Sequence, residues 1–161
     1  MKSLKPHEHA YWQLYLQTLP DEQRRMQMNV SAGYAGTLET TDTLLELYLA
    51  GKKVAGSSLL EDFLAAGDPL PKVGNRWIYL NGRNQPCCIL KTEKIVTHKF
   101  KDVPAEIAIA EGEGDLSLSY WKRIHSELYA PFLRSWGVKN IDEATVITEF
   151  FSIAYQGLKD N

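Results

Sequence analysis

Three carboxylates separated only by glycines distinguish the stretch EGEGDLSLSYWKRIH, which runs from Glu111 to His125. The glycines at positions 112 and 114 permit backbone conformations closed to other residues, so Glu111, Glu113 and Asp115 can point in unusual directions. Crowded carboxylates generally include one with a raised pKa, which suits general acid–base chemistry or ligation of Mg²⁺. The alternative is the acidic start of a helix with Asp115 as its cap.

A helix over about 118–134 is predicted to follow this stretch, with Asp115 or Ser117 at its N-terminus. Trp121 and His125 are four residues apart and therefore share one helix face. Such a pair usually belongs to the core. The alternative is that Trp121 stacks on an RNA base and that His125, beside the carboxylates, moves a proton.

The segment GKKVAGSS, residues 51–58, could form a small anion-binding loop. The amine of Lys53 would neutralise an oxyanion, and the hydroxyls of Ser57 and Ser58 would add hydrogen bonds. The alternative is that Lys52 and Lys53 only complement the C-terminus of the preceding helix. The segment is not a P-loop, because the required order of glycine, lysine and hydroxyl residues is absent.

Composition narrows the possible functions of the chain. It has 161 residues, a length that favours one domain, and a net charge of -2, so any nucleic-acid contact must come from a local basic patch. The adjacent Cys87 and Cys88 suit neither a disulfide framework nor a zinc site, and His7 and His9 alone make a weak metal signal. We predict no metal and no cofactor. The absence of a signal-peptide or membrane-span pattern predicts a cytoplasmic protein.

The order of predicted elements indicates an α+β fold. Residues 21–37 are predicted to be a long connection, in which Arg24 and Arg25 could reach a ligand. Strands do not alternate regularly with long helices, so a small, partly open β-barrel with helices at its ends fits better than a doubly wound sheet. The predicted helices cover about 7–19, 40–53, part of 57–74, 103–110 and 118–134, and the predicted strands cover 76–80, 86–93, 94–100 and 144–156.

Several of these pieces together resemble the ASCH domain, a family of the PUA-like superfamily. They are GKK after an apolar helix, SLL, a proline-containing hairpin, TEKI, FKDV and finally EGEGDLSLSYWKRIH. The resemblance covers about 33–132 and implies a small PUA-like β-barrel with flanking helices. The prediction for the whole chain is a single ASCH domain over 1–161, with the N-terminal helix and the C-terminal strand packed on the barrel.

The resemblance implies a cleft that faces RNA, a nucleotide or a modified nucleoside. Some members resemble RNA-binding modules, and others are hydrolases that cleave RNA or deacylate N4-acylated cytidine. The hydrolase pattern G-x-K-x-x-[TS] with a distant glutamate matches at Gly51, Lys53 and Glu111. Its nucleophile position is Gly56, which has no hydroxyl, so Ser57 or Ser58 would have to be presented by a shifted loop.

Two interpretations follow, and Glu111 is expected to pair with Lys53 in both. In the first, the protein binds its ligand without turnover, and the candidate ligand-binding residues are Lys52, Tyr34, Arg24, Arg25, Glu113, Asp115, Ser117 and Trp121. In that case Lys53 meets phosphate and an aromatic residue stacks on a base. In the second, the catalytic residues are Lys53, Glu111, His125 and either Ser57 or Ser58. A domain that binds only a protein partner is a third possibility.

Overall fold

The computed structural model describes residues 3–157. Helices and strands alternate irregularly along the chain, and short 3₁₀ turns at 100–102, 130–132 and 141–143 join some of them. The elements are α1 (Pro6–Gln17), α2 (Asp21–Arg24), β1 (Val30–Gly33), α3 (Thr41–Leu49), β2 (Ala55–Leu59), α4 (Leu60–Ala66), β3 (Arg76–Leu80), β4 (Pro86–Lys99), α5 (Ala105–Glu111), α6 (Leu118–Tyr129) and β5 (Thr145–Gln156).

The five strands form one mixed sheet in the order β1-β3-β4-β5-β2. Strand β1 is parallel to β3, and the other neighbouring pairs are antiparallel. The β4–β5 register shifts between Thr92 and Lys94. A bulge of this kind bends a strand and increases its twist, which helps the sheet curl into a half-barrel. The predicted α+β, PUA-like fold is thus confirmed.

Most predicted elements are present, and the differences come from long-range pairing. The strands predicted at 86–93 and 94–100 are one strand, β4, because the bulge keeps both halves paired with β5. The predicted connection at 21–37 contains α2 and β1. A helix of four residues is too short to show periodicity, and β1 is stabilised by its parallel pairing with β3, which lies far along the chain.

The predicted anion-binding loop at 51–58 is wrong over its second half. Residues Ala55–Leu59 form β2, an edge strand paired with the Val146–Phe150 part of β5. The sequence Ala-Gly-Ser-Ser has low β-propensity, so the pairing with β5 and not the local composition makes this segment a strand.

The two faces of the sheet are covered differently. Helices α5 and α6 pack on one face, where Leu59, Ile107, Trp121 and Val146 belong to one apolar cluster. In a separate cluster, Tyr48 of α3 packs against Tyr79 and Leu90. Helix α3 is buried only at Thr41 and Tyr48, not on several sides as its apolar composition predicts, because its Leu44 lines an open cleft.

Candidate functional site

A buried lysine follows α3 at the edge of the sheet. Lys53 is only 4% exposed. Its Nζ donates to the backbone oxygen of Glu111 at 3.3 Å, to Glu111 Oε1 at 3.3 Å and to Glu113 Oε2 at 2.9 Å. The same nitrogen lies 5.3 Å from the centre of the Tyr48 ring. An ammonium group has three donors, so the protein itself engages all of them.

Glu111, the last residue of α5, is the centre of this cluster. Its Oε2 accepts a hydrogen bond from Ser57 Oγ at 2.8 Å and another from Trp121 Nε1. Its Oε1 lies 3.4 Å from His125 Nε2 and 3.3 Å from Lys53 Nζ. The buried carboxylate therefore has four side-chain partners, which is the arrangement that a charge away from water requires.

These contacts also determine the ionisation of Glu111. Burial raises the pKa of the carboxyl group, but the hydrogen bond and charge of His125, followed by the contacts with Lys53 and Trp121, outweigh burial and lower it to about 2. Crowding suggested that one of the three carboxylates has a raised pKa, and Glu111 is not that residue. Glu111 and Glu113 lie close together, but they share the cation Lys53, which offsets their repulsion, whereas Asp115 lies at the surface.

Gly112 allows the two glutamates to reach the same lysine. It ends α5 in the left-handed conformation with φ of 68°. A Cβ at this position would lie 2.0 Å from the backbone oxygen of Lys52. Only glycine therefore lets the end of α5 contact the Lys52–Lys53 backbone and bring Glu111 and Glu113 to Lys53.

Asp115 and Ser117 have structural positions at the start of α6. Ser117 is the N-cap residue, and its Oγ accepts a hydrogen bond from Tyr120 N at 3.0 Å. Asp115 Oδ1 accepts one from Ser117 N at 2.9 Å. The predicted helix cap is therefore present, and this pair connects the glycine-rich turn to α6.

Trp121 and His125 lie on the buried face of α6. The Trp121 side chain is 2% exposed, and its ring stacks on His125 with centres 4.0 Å apart. Phe100 lies at 5.5 Å from the same ring, and His125 Nδ1 is 2.8 Å from Trp121 O. The suggestion that Trp121 stacks on an RNA base is wrong, because packing buries the ring and its N–H already bonds Glu111.

Of the two candidate serines, the structure brings Ser57 to Glu111. Ser57 Oγ also lies 2.7 Å from Thr148 Oγ1, its neighbour across β2 and β5. Because side chains alternate along a strand, Ser58 points to the opposite face, where its partner is Ile147. A Cβ at Gly56 would lie 3.0 Å from the Tyr48 hydroxyl, so a larger residue at this position would require Tyr48 to move.

A cleft of about 1280 Å³ opens beside this buried cluster. Tyr34, which is 52% exposed, forms part of its wall. The Phe, Tyr and Trp residues that line the cleft are Tyr34, Tyr48, Phe63, Trp77, Tyr120 and Phe151. Its polar lining includes Lys53, Ser57, Glu111, Glu113, His125 and Glu149.

The structure does not bring every predicted ligand-binding residue to the cleft. Arg24 and Arg25 are exposed outside its lining, and Arg24 instead pairs with Asp21 at 3.4 Å. The Lys52 side chain is also exposed and outside the lining. The turn after α3 is short, so adjacent lysines point in different directions and only Lys53 turns inward.

Sequence reasoning missed two features of the cleft. The cations that line it besides Lys53 are Lys5, Lys72 and Arg76. The acidic Glu149 also lines it, and the only signal for this residue was a charge within the apolar, aromatic stretch of β5.

Residues 3–157 contain no group of three histidine, cysteine or acidic side chains placed to hold a metal ion. The same part of the chain has no helix of the length and apolarity that crossing a membrane requires.

Comparisons with known proteins identify the family. The ASCH domain family matches residues 31–155, whereas no curated protein matches the chain significantly. An ASCH domain from Lactobacillus crispatus JV V101 is similar in structure, with a TM-score of 0.88, 23% identity and coverage of 97% of this chain and 99% of that chain. Protein EF3133 from Enterococcus faecalis V583 has a TM-score of 0.77, 26% identity and coverage of 92% and 88%, respectively. The family match covers most of the chain. The extension of this single domain over all of 1–161 stays a prediction. The chain therefore belongs to the ASCH domain family.

Proposed function

We propose that this protein binds a nucleobase in the cleft beside Lys53, either an unpaired base of RNA or the base of a nucleotide or modified nucleoside. One observation carries the proposal: a single large cleft is lined both by aromatic side chains and by polar ones. Among the aromatic residues, Tyr34 is half exposed and so accessible to a ligand. Ligand pockets usually measure about 300–1,000 Å³, so the volume is sufficient for a nucleotide. The association of the family's PUA-like fold with RNA binding supports this choice, and a cytoplasmic location is part of the proposal.

The distribution of charge favours a particular orientation of the ligand. Lys53 is paired with Glu111 and Glu113, so a phosphate at this lysine would compete with two carboxylates. We therefore replace the expectation that Lys53 meets phosphate. In the proposed orientation the base lies toward the acidic residues of the cleft. Any phosphate lies toward Lys5, Lys72 and Arg76, which also line the cleft.

Binding experiments with a short single-stranded RNA and with the four ribonucleosides test this proposal. Tyr34→Ala is expected to weaken the affinity by about tenfold, because base–aromatic stacking is worth about 1–3 kcal/mol per base. Phe132→Ala is the matched control, because this aromatic residue is also half exposed but lies outside the cleft. Salt-sensitive binding of RNA with no binding of nucleosides would identify RNA as the source of the base. Failure of wild type to bind any of these probes would overturn the proposal.

Hydrolysis is the second candidate, and the contact between Ser57 Oγ and Glu111 Oε2 at 2.8 Å favours it. In deacylation, Ser57 Oγ would attack the acyl carbonyl of an N4-acylated cytidine while Glu111 accepts its proton; the C–N4 bond breaks, cytidine leaves with that proton on N4, and water then releases the acyl group from Ser57 as a carboxylic acid. For RNA cleavage the substrate's own 2′-hydroxyl would attack the adjacent phosphorus instead, Glu111 would accept its proton, and His125 would protonate the departing 5′-oxygen, which leaves a 2′,3′-cyclic phosphate. Hydrolysis ranks second because a carboxylate with a pKa of about 2 is a weak base at neutral pH.

To distinguish deacylation from RNA cleavage, the protein is incubated with N4-acylated cytidine and with single-stranded RNA, and the products are analysed by chromatography. A deacylase would lose at least about 100-fold in rate in Ser57→Ala and retain it in Ser58→Ala, whose hydroxyl lies on the other face of β2. A ribonuclease would depend on His125 and not on Ser57. Absence of product from wild type would exclude both activities on these substrates.

A further inference from the structure

Glu149 is an acidic residue of the cleft that the buried cluster does not use. It lies in β5 directly opposite Gly56 of β2. Because Gly56 has no side chain, nothing from the neighbouring edge strand covers the carboxyl group on that side. Phe151, two residues further along β5, lies on the same face of the strand, and both residues line the cleft.

The contacts of Glu149 differ from those of Glu111. Its Oε1 accepts a hydrogen bond from Thr92 Oγ1 at 2.9 Å, which is its only side-chain hydrogen bond within residues 3–157. In the same part of the chain no lysine, arginine or histidine forms a salt bridge with it. Glu149 Oε2 is therefore free to meet a ligand, whereas both oxygens of Glu111 have protein partners.

The surroundings of this carboxyl group raise its pKa and so make protonation easier than for an exposed glutamate. Burial raises the pKa of Glu149, and the hydrogen bond from Thr92 opposes this only in part. A protonated carboxyl group offers one donor and one acceptor side by side. The Watson–Crick edge of every nucleobase offers the complementary acceptor and donor, whereas a phosphate offers acceptors only.

Aromatic residues beside Glu149 provide a surface for the flat face of a base. The rings of Trp77 and Phe151 lie 5.6 Å apart, and both line the cleft. A base that contacts these rings presents its edge, and not its face, to the neighbouring strand position. Glu149 lies on the same face of β5 as Phe151, so its carboxyl group is within the part of the cleft that these rings border.

We propose that Glu149 recognises the hydrogen-bonding edge of the bound nucleobase, through Oε2 and the remaining lone pair of Oε1. This inference rests on the proposed nucleobase-binding function and adds the residue that binds the edge of the base. The ligand class is a base with an adjacent donor and acceptor, whether in RNA or in a free nucleoside. Sugar and phosphate are not recognised by this residue.

Two substitutions test the role of the carboxyl group. Binding of a short single-stranded RNA and of adenosine, cytidine, guanosine and uridine is measured for wild type, Glu149→Gln and Glu149→Ala, with ribose 5-phosphate as the base-free control. Glutamine has the same size and a fixed donor and acceptor, so Glu149→Gln is expected to stay within about threefold of wild type for each probe that wild type binds. Glu149→Ala is expected to lose at least about tenfold in affinity for the same probes.

The outcomes distinguish this inference from the proposed function. If wild type binds neither the RNA nor any nucleoside, the proposed function fails and the role of Glu149 fails with it. If wild type binds one of these probes but Glu149→Ala keeps its affinity, only the inference about Glu149 is overturned. If glutamine weakens binding as much as alanine does, the ionised carboxylate and not a donor–acceptor pair is required, which also overturns it. The thermal unfolding of each variant shows whether a loss of binding reflects a loss of folded protein.

Discussion

Replacing Lys53 by methionine is expected to lower the free energy of unfolding by about 3–5 kcal/mol, the cost of removing one partner from a buried ion pair. The side chain is 4% exposed, and its ammonium group lies between Glu111 and Glu113. Methionine fills similar space but leaves both carboxylates without their common cation. Glu111 is the more costly of the two carboxylates to leave unpaired, because its side chain is 3% exposed and that of Glu113 is 21% exposed. Urea unfolding followed by circular dichroism measures the change.

The neighbouring lysine provides a matched control for this prediction. The side chain of Lys52 is exposed, so Lys52→Met is expected to change the free energy of unfolding by no more than about 0.5 kcal/mol. Adding Glu113→Gln to Lys53→Met removes one of the unpaired charges and is expected to recover part of the lost stability. Equal effects of the Lys52 and Lys53 substitutions would show that the buried pair does not stabilise the fold.

Alanine at Gly112 is expected to destabilise the protein by about 2–5 kcal/mol. The left-handed conformation, with φ of 68°, costs a residue other than glycine about 1–2 kcal/mol. The new Cβ would also lie 2.0 Å from Lys52 O and 2.6 Å from its carbonyl carbon, and overpacking of this kind costs about 1–3 kcal/mol. Because backbone atoms form the contact, relief requires the end of α5 to move away from Lys53. Chemical unfolding of Gly112→Ala and wild type gives the difference.

Gly67 separates the two contributions. It ends α4 with the same φ of 68°, but a Cβ there would meet nothing within 4 Å. Gly67→Ala is therefore expected to cost only the conformational part, about 1–2 kcal/mol. If the two alanine variants were equally stable, the close approach of α5 to the Lys52 backbone would not contribute, and the explanation given for the position of Glu111 would be wrong.

Local sequence patterns were sufficient for much of the framework. Ser117 as the cap of α6, the β3–β4 hairpin around Asn81 and the helix before Gly112 each depend on residues close together in the chain. The same is true of the motif EGEGDLSLSYWKRIH, which carried the resemblance to the ASCH domain, and of the expected pairing of Lys53 with Glu111, which followed from that resemblance.

The tertiary structure alone decided how the site residues are used. Ser57 meets Thr148 across 91 positions of sequence, and Lys53 meets Glu113 across 60. Whether Trp121 faces solvent or the core, whether residues 55–59 form a loop or an edge strand, and whether Glu149 faces a cleft all depend on such distant pairings. Local sequence by itself thus determined most of the helices and strands, and which side chains are chemically capable, but not β1 and β2. Packing determined which of those side chains are neutralised by neighbours and which remain free, because burial and pairing are properties of the surroundings and not of the residue.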